Sequence, residues 1–386
     1  MRVLHVLASV SESWGGPPSA VKWLVKGLSG LGVESLVMGV GDRDFPMTDF
    51  GRAFVKSWPA AFPGKFGIPV SPGLVSALFE ETRAADIVHI HEPWHMPHVV
   101  GALTARILDR PYVVSPHGAL LPSSMARHEH LKRLAWYFYE RAILSEASGL
   151  HALTHEEAAA ITSMLDHPAV EIIPNCVDVS AISGVLSKVP EKAVETLGLP
   201  RKYVAYLGRI DARKGIDVLL DSFSLVAREH PDLCLVLAGP DPDNLWPRFS
   251  SRLSAEIARR VRYLGFVDVG LKYCILSEAL FFVLPSISEG LSMSILESLA
   301  CGTPVLASPG GNMREVEDAD AGRVVPREST ALADALTRLL RDDSQVQRMR
   351  GNALRLAEER YSMESVACQM LSLYEEMTRT ASVQEK

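Results

Sequence analysis

Two short loops in the second half of the chain carry residue types suited to binding anions and hydroxyls. In the segment 288–298, which reads SEGLSMSILES, Glu289 and Glu297 flank the predicted start of a helix. Three residues at that start are expected to leave their backbone N–H groups unpaired: Gly290, Leu291 and Ser292. Such groups, reinforced by the helix dipole, bind anions, and carboxylates accept hydrogen bonds from sugar or ribose hydroxyls. Alternatively, Ser292 caps the helix and Glu297 is solvated.

A second loop, 208–215 (GRIDARKG), also follows a predicted strand and supplies two cations. Arg209 offers a forked set of donors and Lys214 offers a point charge, so both would contact one anion if the two loops are neighbours. The glycines leave room for a phosphate to approach the backbone. The spacing matches neither the Walker A pattern nor G-x-G-x-x-G, and an ordinary surface pair of cations is the alternative.

Two loops of the first half are further candidates. The segment 115–118 (SPHG) ends a predicted strand, and this position makes His117 a candidate for chemistry, with a purely structural histidine as the alternative. Gly15 and Gly16 follow the first predicted strand, where they resemble a substrate loop at the start of a helix. A plain turn between strand and helix is the alternative there.

Histidines also cluster near Glu92 and Trp94. There are four of them: His89, His91, His95 and His98. His89 and His91 share one face of a strand, so a zinc site is conceivable, but the spacing is irregular and no cysteine is near. We therefore predict no metal site. We expect His89 to pack within the sheet and His91 or Trp94 to line an acceptor site.

The elements that must position these loops alternate along the whole chain. Strands are predicted from β-rich runs at 3–7, 35–40, 87–91, 112–115, 203–207, 234–238, 280–284 and 305–308. Helices are predicted from apolar residues at helical spacing at 19–31, 218–229, 292–300 and 362–377. The last of them carries four residues on one apolar face: Val366, Met370, Leu373 and Tyr374. This alternation predicts the α/β class, with parallel sheets covered by helices.

The two halves of the chain also repeat each other. PYVVSPHG at 111–118 and PVLASPGG at 304–311 share Pro, Ser, Pro and Gly at a common offset. Two further strand pairs match: 86–91 with 279–284 at the same offset, and 3–7 with 203–207. A duplication predicts two Rossmann-like domains whose functional loops leave the C-terminal ends of the strands, with a ligand cleft between them. Chance similarity between α/β domains is the alternative.

The composition narrows the class of protein. The 386 residues include 39 Lys and Arg against 46 Asp and Glu, and the net charge of −7 argues against nucleic acid as a partner. Five cysteines without a C-x-x-C pair argue against a disulfide framework and indicate a reducing compartment. No apolar run reaches the roughly 18 residues of a membrane span, and the N-terminus lacks a signal-peptide cleavage site. We therefore expect a cytoplasmic protein.

Five motifs in this order resemble those of the retaining glycosyltransferases of family GT4, which have the GT-B fold. They are the first strand with its Gly15-Gly16 loop, SPHG at 115–118, PNCVD at 174–178, G-R-x4-K-G at 208–215, and E-x7-E from Glu289 to Glu297. The resemblance spans nearly the whole chain and specifies the family far more than the substrate. It implies two facing Rossmann-like domains with a C-terminal crossover helix. The acceptor side would be 1–180, the nucleotide-sugar side 181–361, and 362–386 would pack back on the first domain.

The resemblance also implies roles for individual residues. Arg209 and Lys214 would hold the diphosphate of a nucleotide-sugar, Glu289 would contact the donor sugar, and Glu297 would accept from the ribose. The residues implied in catalysis are His117, Glu289, Arg209 and Lys214. Those implied in donor binding are Gly15, Gly16, Asn175, Arg209, Lys214, Gly290, Leu291, Ser292 and Glu297. His117 would approach the transferred sugar from the first domain.

The implied reaction is same-face transfer from a nucleotide-sugar, with a UDP-sugar as the expected donor, no cofactor and no metal. Asp241-Pro242-Asp243 has the spacing of a D-x-D metal motif but indicates a turn. The implied acceptor is a polysaccharide or glycolipid, as a glycan or lipid-linked glycan. The basic and aromatic segment 125–144 is therefore either a peripheral contact with the inner face of the membrane or an ordinary domain helix. A nucleotide-sugar epimerase of similar fold and a non-catalytic sugar-nucleotide-binding protein are the rival functions.

Overall fold

The computed structural model divides the chain into two compact units. One unit is Met1–Cys176 together with Met363–Lys386, and the other is Val177–Ser362. The residues that the structure describes are 1–11, 14–41, 49–50, 53–59, 71–188 and 198–384. Each unit is built around one parallel β-sheet with helices in the connections between strands.

The first unit contains a seven-stranded sheet. Its strands are β1 (Arg2–Ser9), β2 (Glu34–Gly41), β3 (Phe54–Pro59), β4 (Ile87–His91), β5 (Tyr112–Ser115), β6 (Gly149–Ala152) and β7 (Val170–Ile172). They lie in the order β3-β2-β1-β4-β5-β6-β7, and each pair of neighbours is parallel. Such a sheet requires crossover connections, which the helices provide.

The second unit contains a six-stranded sheet. Its strands are β8 (Tyr203–Leu207), β9 (Cys234–Ala238), β10 (Val261–Tyr263), β11 (Phe282–Leu284), β12 (Val305–Ala307) and β13 (Gly322–Val324). They lie in the order β10-β9-β8-β11-β12-β13, again with parallel neighbours. The α/β class predicted from the alternation of strands and helices is confirmed.

The two sheets have the same strand order, counted from the first strand of each unit. The three strand pairs matched in the sequence occupy equivalent places: β1 and β8 are first, β4 and β11 fourth, and β5 and β12 fifth. In both sheets the order reverses between the first and fourth strands. In open parallel sheets, ligands bind beyond the carboxyl ends of the strands at this reversal, so the loops after β1, β4, β8 and β11 are the places to search.

Helices account for most of the remaining described residues. In the first unit they are Gly16–Gly30, Pro72–Ala84, Met96–Ile107, Pro122–Met125, Glu129–Ala135, Arg141–Ser145, His155–Met164 and Met363–Gln384, with a π-helix at Trp136–Glu140. In the second they are Val179–Leu186, Ile216–Glu229, Trp246–Ser250, Ala255–Ala258, Val269–Glu278, Met293–Ala300, Glu315–Asp318, Ser329–Leu339 and Asp343–Arg360. Short 3-10 turns lie at Ala212–Lys214 and Pro309–Gly311. None of the helices that the structure describes has the length and apolarity needed to cross a membrane.

The central strands are buried on both faces, which is why they appear in the sequence as continuous apolar runs. In β2, Leu36 and Met38 belong to one core cluster while Val37 belongs to another. Successive side chains of a strand point to opposite faces, so the two clusters lie on opposite sides of the first sheet. The rigid strands in turn fix where each functional loop begins.

The predicted last helix is Met363–Gln384, and it packs within the first unit. Its predicted apolar face is buried: Val366, Met370, Leu373 and Tyr374. A Cβ built on Gly27, in the helix Gly16–Gly30, would lie 2.7 Å from the Cβ of Ala367, so the two helices meet at close range where a side chain is missing. Glycine is required at such a contact because any larger residue would push the helices apart.

Candidate active site

The two predicted anion loops of the second unit lie side by side. The loop after β8 and the loop after β11 leave adjacent strands at the point where the strand order reverses. The backbone N–H of Ile287 donates to the carbonyl oxygen of Arg213 at 2.7 Å. Lys214 Nζ lies 2.8 Å and 2.7 Å from the two carboxylate oxygens of Glu289. The condition for a shared anion site, that the loops are neighbours, is therefore met.

Lys214 and Glu289 form an ion pair that spacing in the sequence did not reveal. The two side chains retain only 25% and 11% of their exposure. Ser286 Oγ donates to Glu289 Oε1, and Asn312 Nδ2 donates to the carbonyl oxygen of Glu289. The ion pair thus fixes a cation and a carboxylate next to each other in these two loops, and each side chain orients the other.

Arg209 differs from Lys214 in its surroundings. Its side chain is exposed, and within the described part of the chain it makes no hydrogen bond or ion pair. Its backbone is fixed, because Tyr206 Oη donates to the carbonyl oxygen of Arg209 at 2.8 Å. A guanidinium on a fixed backbone without a carboxylate partner is available for a bidentate anion.

The start of the helix Met293–Ala300 offers backbone donors. Ser292 occupies the N-cap position, yet its side chain accepts no hydrogen bond from the helix and instead lies 3.0 Å from the hydroxyl of Ser294. The N–H groups of Gly290 and Ser292 make no hydrogen bond with another described residue, whereas that of Glu289 donates to the carbonyl oxygen of Gly310. The alternative interpretation, in which Ser292 caps the helix, is wrong.

Glu297 is buried rather than solvated. It retains 5% of its exposure, and its Oε1 accepts from Lys272 Nζ at 2.6 Å. Lys272 lies in the helix Val269–Glu278, and the sequence analysis missed it because nothing in its spacing marks it as a partner of Glu297. The ion pair leaves the second carboxylate oxygen of Glu297 without a partner in the described part of the chain, so this oxygen can accept from a hydroxyl.

Gly215, in the loop after β8, and Gly310, in the loop after β12, make room for neighbouring backbone, not for a phosphate. Gly215 has φ of 75°, and a Cβ built on it would lie 2.0 Å from the carbonyl oxygen of Pro285. A Cβ on Gly310 would lie 2.2 Å from the carbonyl oxygen of Ile287. The expectation that Gly215 opens space for a phosphate is wrong, because that space is taken by the neighbouring loop. Glycine is needed at both positions so that the loops after β8 and β12 can pack against the loop after β11.

In the first unit, Gly15 and Gly16 follow β1 at positions that no described residue crowds. Gly15 precedes the helix Gly16–Gly30 with φ of 104°, and a Cβ built on Gly15 or Gly16 would meet no described atom within 4 Å. Trp14 Nε1 donates to both carboxylate oxygens of Glu92, at 2.9 Å and 3.1 Å. This contact joins the loops after β1 and β4. Glu92 stands out in the sequence beside the histidines, but its contact with Trp14 could not be predicted from their spacing.

His117 lies in the loop after β5 with φ of 51°, a left-handed conformation uncommon for a residue other than glycine. Its Nε2 is 2.9 Å from Nδ1 of His91. The N–H of the next residue, Gly118, donates to the buried carboxylate of Glu157. Burial lowers the pKa of His117 to about 3, so its imidazole is neutral at pH 7. Strained positions held by specific contacts concentrate at functional sites.

His117 belongs to a larger cluster of buried histidines. The ring nitrogens of His5, His89 and His91 lie within 4.8 Å of one another. Of the two rings that the sequence placed on one strand face, His91 contacts His5 and His117, while His89 contacts Tyr374 and Ser115. Both nitrogens of each ring are therefore in hydrogen bonds, and metal binding there would require breaking them. The prediction that no metal binds remains a prediction.

Asn175 lies at the same place in the first unit. It is buried and lines a small cavity together with His91, His117 and His151. The cavity has room for about one water, and the implied role of Asn175 in donor binding remains a prediction.

The remaining histidines of the predicted cluster lie apart from His89 and His91. His98 Nε2 is 2.8 Å from Glu140 Oε1, and both side chains are fully buried. The two atoms are close but lack the alignment of a hydrogen bond, since neither has a hydrogen-bond partner in the described residues. Trp94 Nε1 and His95 Nδ1 are likewise buried without such a partner. Glu140 ends the π-helix Trp136–Glu140, an element often found at functional sites.

The segment 125–144 does not form one amphipathic helix. It is divided by the left-handed residue His128 and by the π-helix, which rotates the following residues. Ile143, near the end of the segment, is buried in the core. Four large apolar side chains are exposed instead: Leu131 by 59%, Leu134 by 56%, Tyr137 by 83% and Phe138 by 74%. We call these four residues the aromatic patch.

Comparison with known proteins agrees with this geometry. A family model described as "Glycosyl transferases group 1" matches residues 201–342, and one described as "Glycosyl transferase 4-like domain" matches residues 15–176. The chain is 29% identical over 379 residues to a phosphatidyl-myo-inositol mannosyltransferase of Mycobacterium leprae, covering 95% of each protein. It is 31% identical over 303 residues to the enzyme of the same name from Mycobacterium tuberculosis, covering 75% of this chain and 73% of the relative.

A solved structure has the same fold. The Anabaena protein Alr3699/HepE, determined in complex with UDP and glucose, matches with a TM-score of 0.73 at 21% identity, covering 97% of this chain and 100% of that chain. Two parallel-sheet units with this strand order, two matching family models and a relative above 30% identity agree with one another. The chain is therefore an enzyme of the group 1 glycosyltransferases, family GT4, with the GT-B fold.

Proposed function

We propose that the protein is a retaining glycosyltransferase that moves a sugar from a nucleoside-diphosphate sugar to a hydroxyl of a glycan or lipid-linked acceptor, without a metal ion. The observation that carries the proposal is the pairing of the two loops after β8 and β11. They bring Arg209, the Lys214–Glu289 pair and the N–H groups of Gly290 and Ser292 to one place in the second unit.

These groups suit a diphosphate leaving group. As the bond from the sugar to the diphosphate breaks, negative charge grows on the phosphate oxygens, and preorganised donors aimed at that charge lower the barrier. Arg209 supplies a forked cation, Lys214 a point charge, and the helix start supplies backbone donors with its dipole. The Glu289 carboxylate offsets the charge of Lys214, so the site accepts an anion without holding an excess of unpaired cations.

The two carboxylates suit the hydroxyl groups of the donor. Glu297 is fixed by Lys272 and keeps one oxygen for a ribose hydroxyl. Glu289 is fixed by Lys214 and Ser286 and lies beside the helix start, where it would contact the sugar. The complex of the Anabaena protein with UDP and glucose supports a UDP-sugar as the donor of this chain.

The same donor set supports a retaining reaction that needs no metal. Same-face attack lets the departing phosphate take the proton of the acceptor, so no second carboxylate is needed as a base, unlike in a glycosidase. The Asp241-Pro242-Asp243 sequence is not free to act as a metal motif, because the two carboxylate oxygens of Asp241 each accept a backbone N–H, from Leu245 and Trp246, at 2.8 Å. It forms the turn that the sequence indicated.

The decisive experiment measures transfer with the Arg209→Ala and Lys214→Ala variants. After a thermal-shift screen of UDP-, GDP- and ADP-sugars identifies the donor, each substitution is expected to lower kcat by about 100-fold or more, because a charge-stabilising group is lost. Arg213→Ala is the matched control: Arg213 lies in the same loop, but it is already paired with Asp211 at 3.2 Å, so little change is expected. Near-normal transfer by both variants would contradict the proposal.

Product analysis tests the remaining parts of the proposal. Proton NMR of the product should show the anomeric configuration of the donor sugar, and EDTA should leave the rate unchanged. Inversion of the anomeric centre, or loss of activity in EDTA that a divalent cation restores, would contradict retention or metal independence. Conversion of the donor into its epimer without an acceptor would favour the epimerase instead.

The aromatic patch supports a lipid-linked acceptor held at a membrane. Its four apolar side chains are exposed, and the segment 125–144 carries four Lys and Arg against two Glu, of which Glu140 is buried. Exposed aromatic side chains beside cations are typical of contact with an anionic lipid surface. The relatives named as phosphatidyl-myo-inositol mannosyltransferases act, by that name, on a lipid.

Sedimentation with vesicles tests this surface. The wild type should bind vesicles of phosphatidylglycerol and not those of phosphatidylcholine, and a Tyr137→Ser, Phe138→Ser double variant should bind much less. Ile107→Ser, at another exposed apolar position of the same unit, is the matched control. If the wild type did not bind anionic vesicles, the proposed membrane contact would be wrong, and the proposal for the donor site would not be affected.

A further inference from the structure

The buried histidines of the first unit form two chains of hydrogen bonds beneath the loop of His117. In the longer chain, His151 Nε2 lies 2.7 Å from the carbonyl oxygen of Ile173, which can only accept. The nitrogen therefore carries the proton, and the neutral ring must accept at Nδ1. Ser115 Oγ, 2.5 Å away, is the group that donates to it.

The longer chain continues from Ser115 through His89 to Tyr374 in the C-terminal helix. Ser115 has one hydroxyl proton, and it is used on His151, so Ser115 Oγ accepts from His89 Nε2 at 2.6 Å. His89 then accepts at Nδ1 from the hydroxyl of Tyr374, also at 2.6 Å. The hydrogen-bond partners thus determine which atom of each residue in this chain carries the proton. Ser115 stands two residues before His117, so the chain fixes the base of that loop.

The shorter chain contains His5, His91 and His117. His5 Nδ1 lies 3.3 Å from His91 Nε2, and His91 Nδ1 lies 2.9 Å from His117 Nε2. The other nitrogen of His5, Nε2, is buried and has no hydrogen-bond partner in the described residues. A buried N–H group without a partner is rarely left in a protein, so the proton of His5 belongs on Nδ1, where it is used.

This choice sets the direction of the whole shorter chain. His5 donates to His91 Nε2, so His91 must carry its proton on Nδ1 and donate to His117 Nε2. All three rings are neutral at pH 7, because burial lowers their pKa values well below 6.5. His117 Nε2 is thereby occupied as an acceptor, and the proton of His117 lies on Nδ1. That atom makes no hydrogen bond with a described residue, and the side chain is partly exposed.

We propose that His91 is a positioning residue for sugar transfer: it holds His117 in the tautomer with the proton on Nδ1, so that His117 offers a hydrogen-bond donor to a sugar hydroxyl instead of acting as a base. The inference rests on the proposed function together with the role that the family resemblance implies for His117, which is to approach the transferred sugar. It explains why two histidines, His5 and His91, follow one another behind that residue. A neutral donor cannot take a proton from the acceptor, which agrees with same-face transfer by the departing phosphate.

The first test is a double-mutant cycle on kcat and KM. His91→Phe should lower kcat by about 10- to 100-fold, because a misdirected group beside the substrate costs that much, and should change the KM of the donor little. In a His117→Ala background, His91→Phe should cause no further loss, since its effect acts through His117. Equal losses in both backgrounds would overturn the proposal.

Two further variants separate positioning from folding. His91→Asn keeps an N–H donor close to the place of Nδ1 and should restore most of the rate lost in His91→Phe, whereas a merely structural role predicts no such rescue. His167→Phe is the matched control, since His167 is another buried histidine of the first unit, hydrogen-bonded to the carbonyl oxygen of Ala147 and the N–H of Ala169. It should leave kcat unchanged.

A spectroscopic test does not depend on activity. In protein labelled with 15N-histidine, the ring-nitrogen shifts of His117 should show the proton on Nδ1, and His91→Phe should produce a mixture of tautomers. A proton on Nε2 of His117 in the wild type would overturn the proposal even if the enzyme transfers sugar as proposed. Full activity of His117→Ala would likewise overturn it, whereas loss of transfer in Arg209→Ala tests the donor site independently.

Discussion

At the scale of single residues, both carboxylates of the candidate site in the second unit are paired with a lysine. Glu289 pairs with Lys214 and Glu297 pairs with Lys272, while Arg209 is exposed and unpaired within the described residues. A carboxylate that is largely buried is stabilised by its cation and is costly to leave alone. Lys214 therefore has a structural role as well as its proposed role in catalysis, and Arg209 has only the latter.

This difference predicts the stability of the corresponding variants. Lys214→Met should lower the free energy of unfolding by about 1–3 kcal/mol, because it leaves the Glu289 carboxylate without its cation, whereas Arg209→Met should change it by less than about 0.5 kcal/mol. Adding Glu289→Gln to Lys214→Met should recover part of the loss. Urea unfolding of the single and double variants measures the coupling, and strictly additive effects would contradict the pairing.

At the scale of elements, most of the inner strands could be predicted from the sequence, whereas β6 and the short edge strands could not. β4, β5, β8 and β9 have the predicted bounds, because each is a buried apolar run between turns. β7, β10 and β13 are only three residues long and read VEI, VRY and GRV, with half-exposed side chains. Runs that short and polar carry no periodicity, so only the hydrogen bonds of the neighbouring strand define them. β11 begins two residues later than predicted, although its side chains are apolar and buried.

For the candidate site as well, some features could be predicted from the sequence and others could not. The loops after β8 and β11 could be located because each combines a strand end with glycine and charge. Their pairing could not be predicted: Lys214 and Glu289 are 75 positions apart, and Lys272 and Glu297 are 25 apart. His5 was missed for the same reason, since it appears in the sequence as an ordinary residue of the first strand and meets His91 only through the pairing of β1 with β4.

The packing of two helices in the first unit gives a prediction at this scale. Gly27→Ala should destabilise the protein by about 1–3 kcal/mol, because its Cβ would lie 2.7 Å from Ala367 Cβ and 2.8 Å from the carbonyl oxygen of Met363. Gly30→Ala, in the same helix Gly16–Gly30 but with no atom within 4 Å of its Cβ, should be neutral or stabilising by up to about 1 kcal/mol. Thermal unfolding compares the two, and equal effects would contradict the helix contact.

At the scale of the whole molecule, the two units differ in how they bury titratable groups. Eleven of the twelve histidines lie in residues 1–176, and only His230 lies in the second unit. Burial lowers the pKa of six histidines of the first unit: His5, His89, His91, His95, His117 and His151. Those with a stated value reach about 3 or about 4.

We therefore predict that acid unfolds the first unit before the second. A histidine whose folded pKa lies below 6.5 contributes stability in full above pH 6.5, and loses it by up to about 1.4 kcal/mol per pH unit as the pH falls toward the folded value. Six such groups together approach the 5–15 kcal/mol of a whole domain near pH 5. Hydrogen exchange followed by mass spectrometry at pH 7 and pH 5, corrected for the intrinsic pH dependence of exchange, should show lost protection in β1, β4 and β5 while β8 and β9 stay protected. Equal loss of protection in both sheets, or none in the first, would contradict the burial of neutral histidines there.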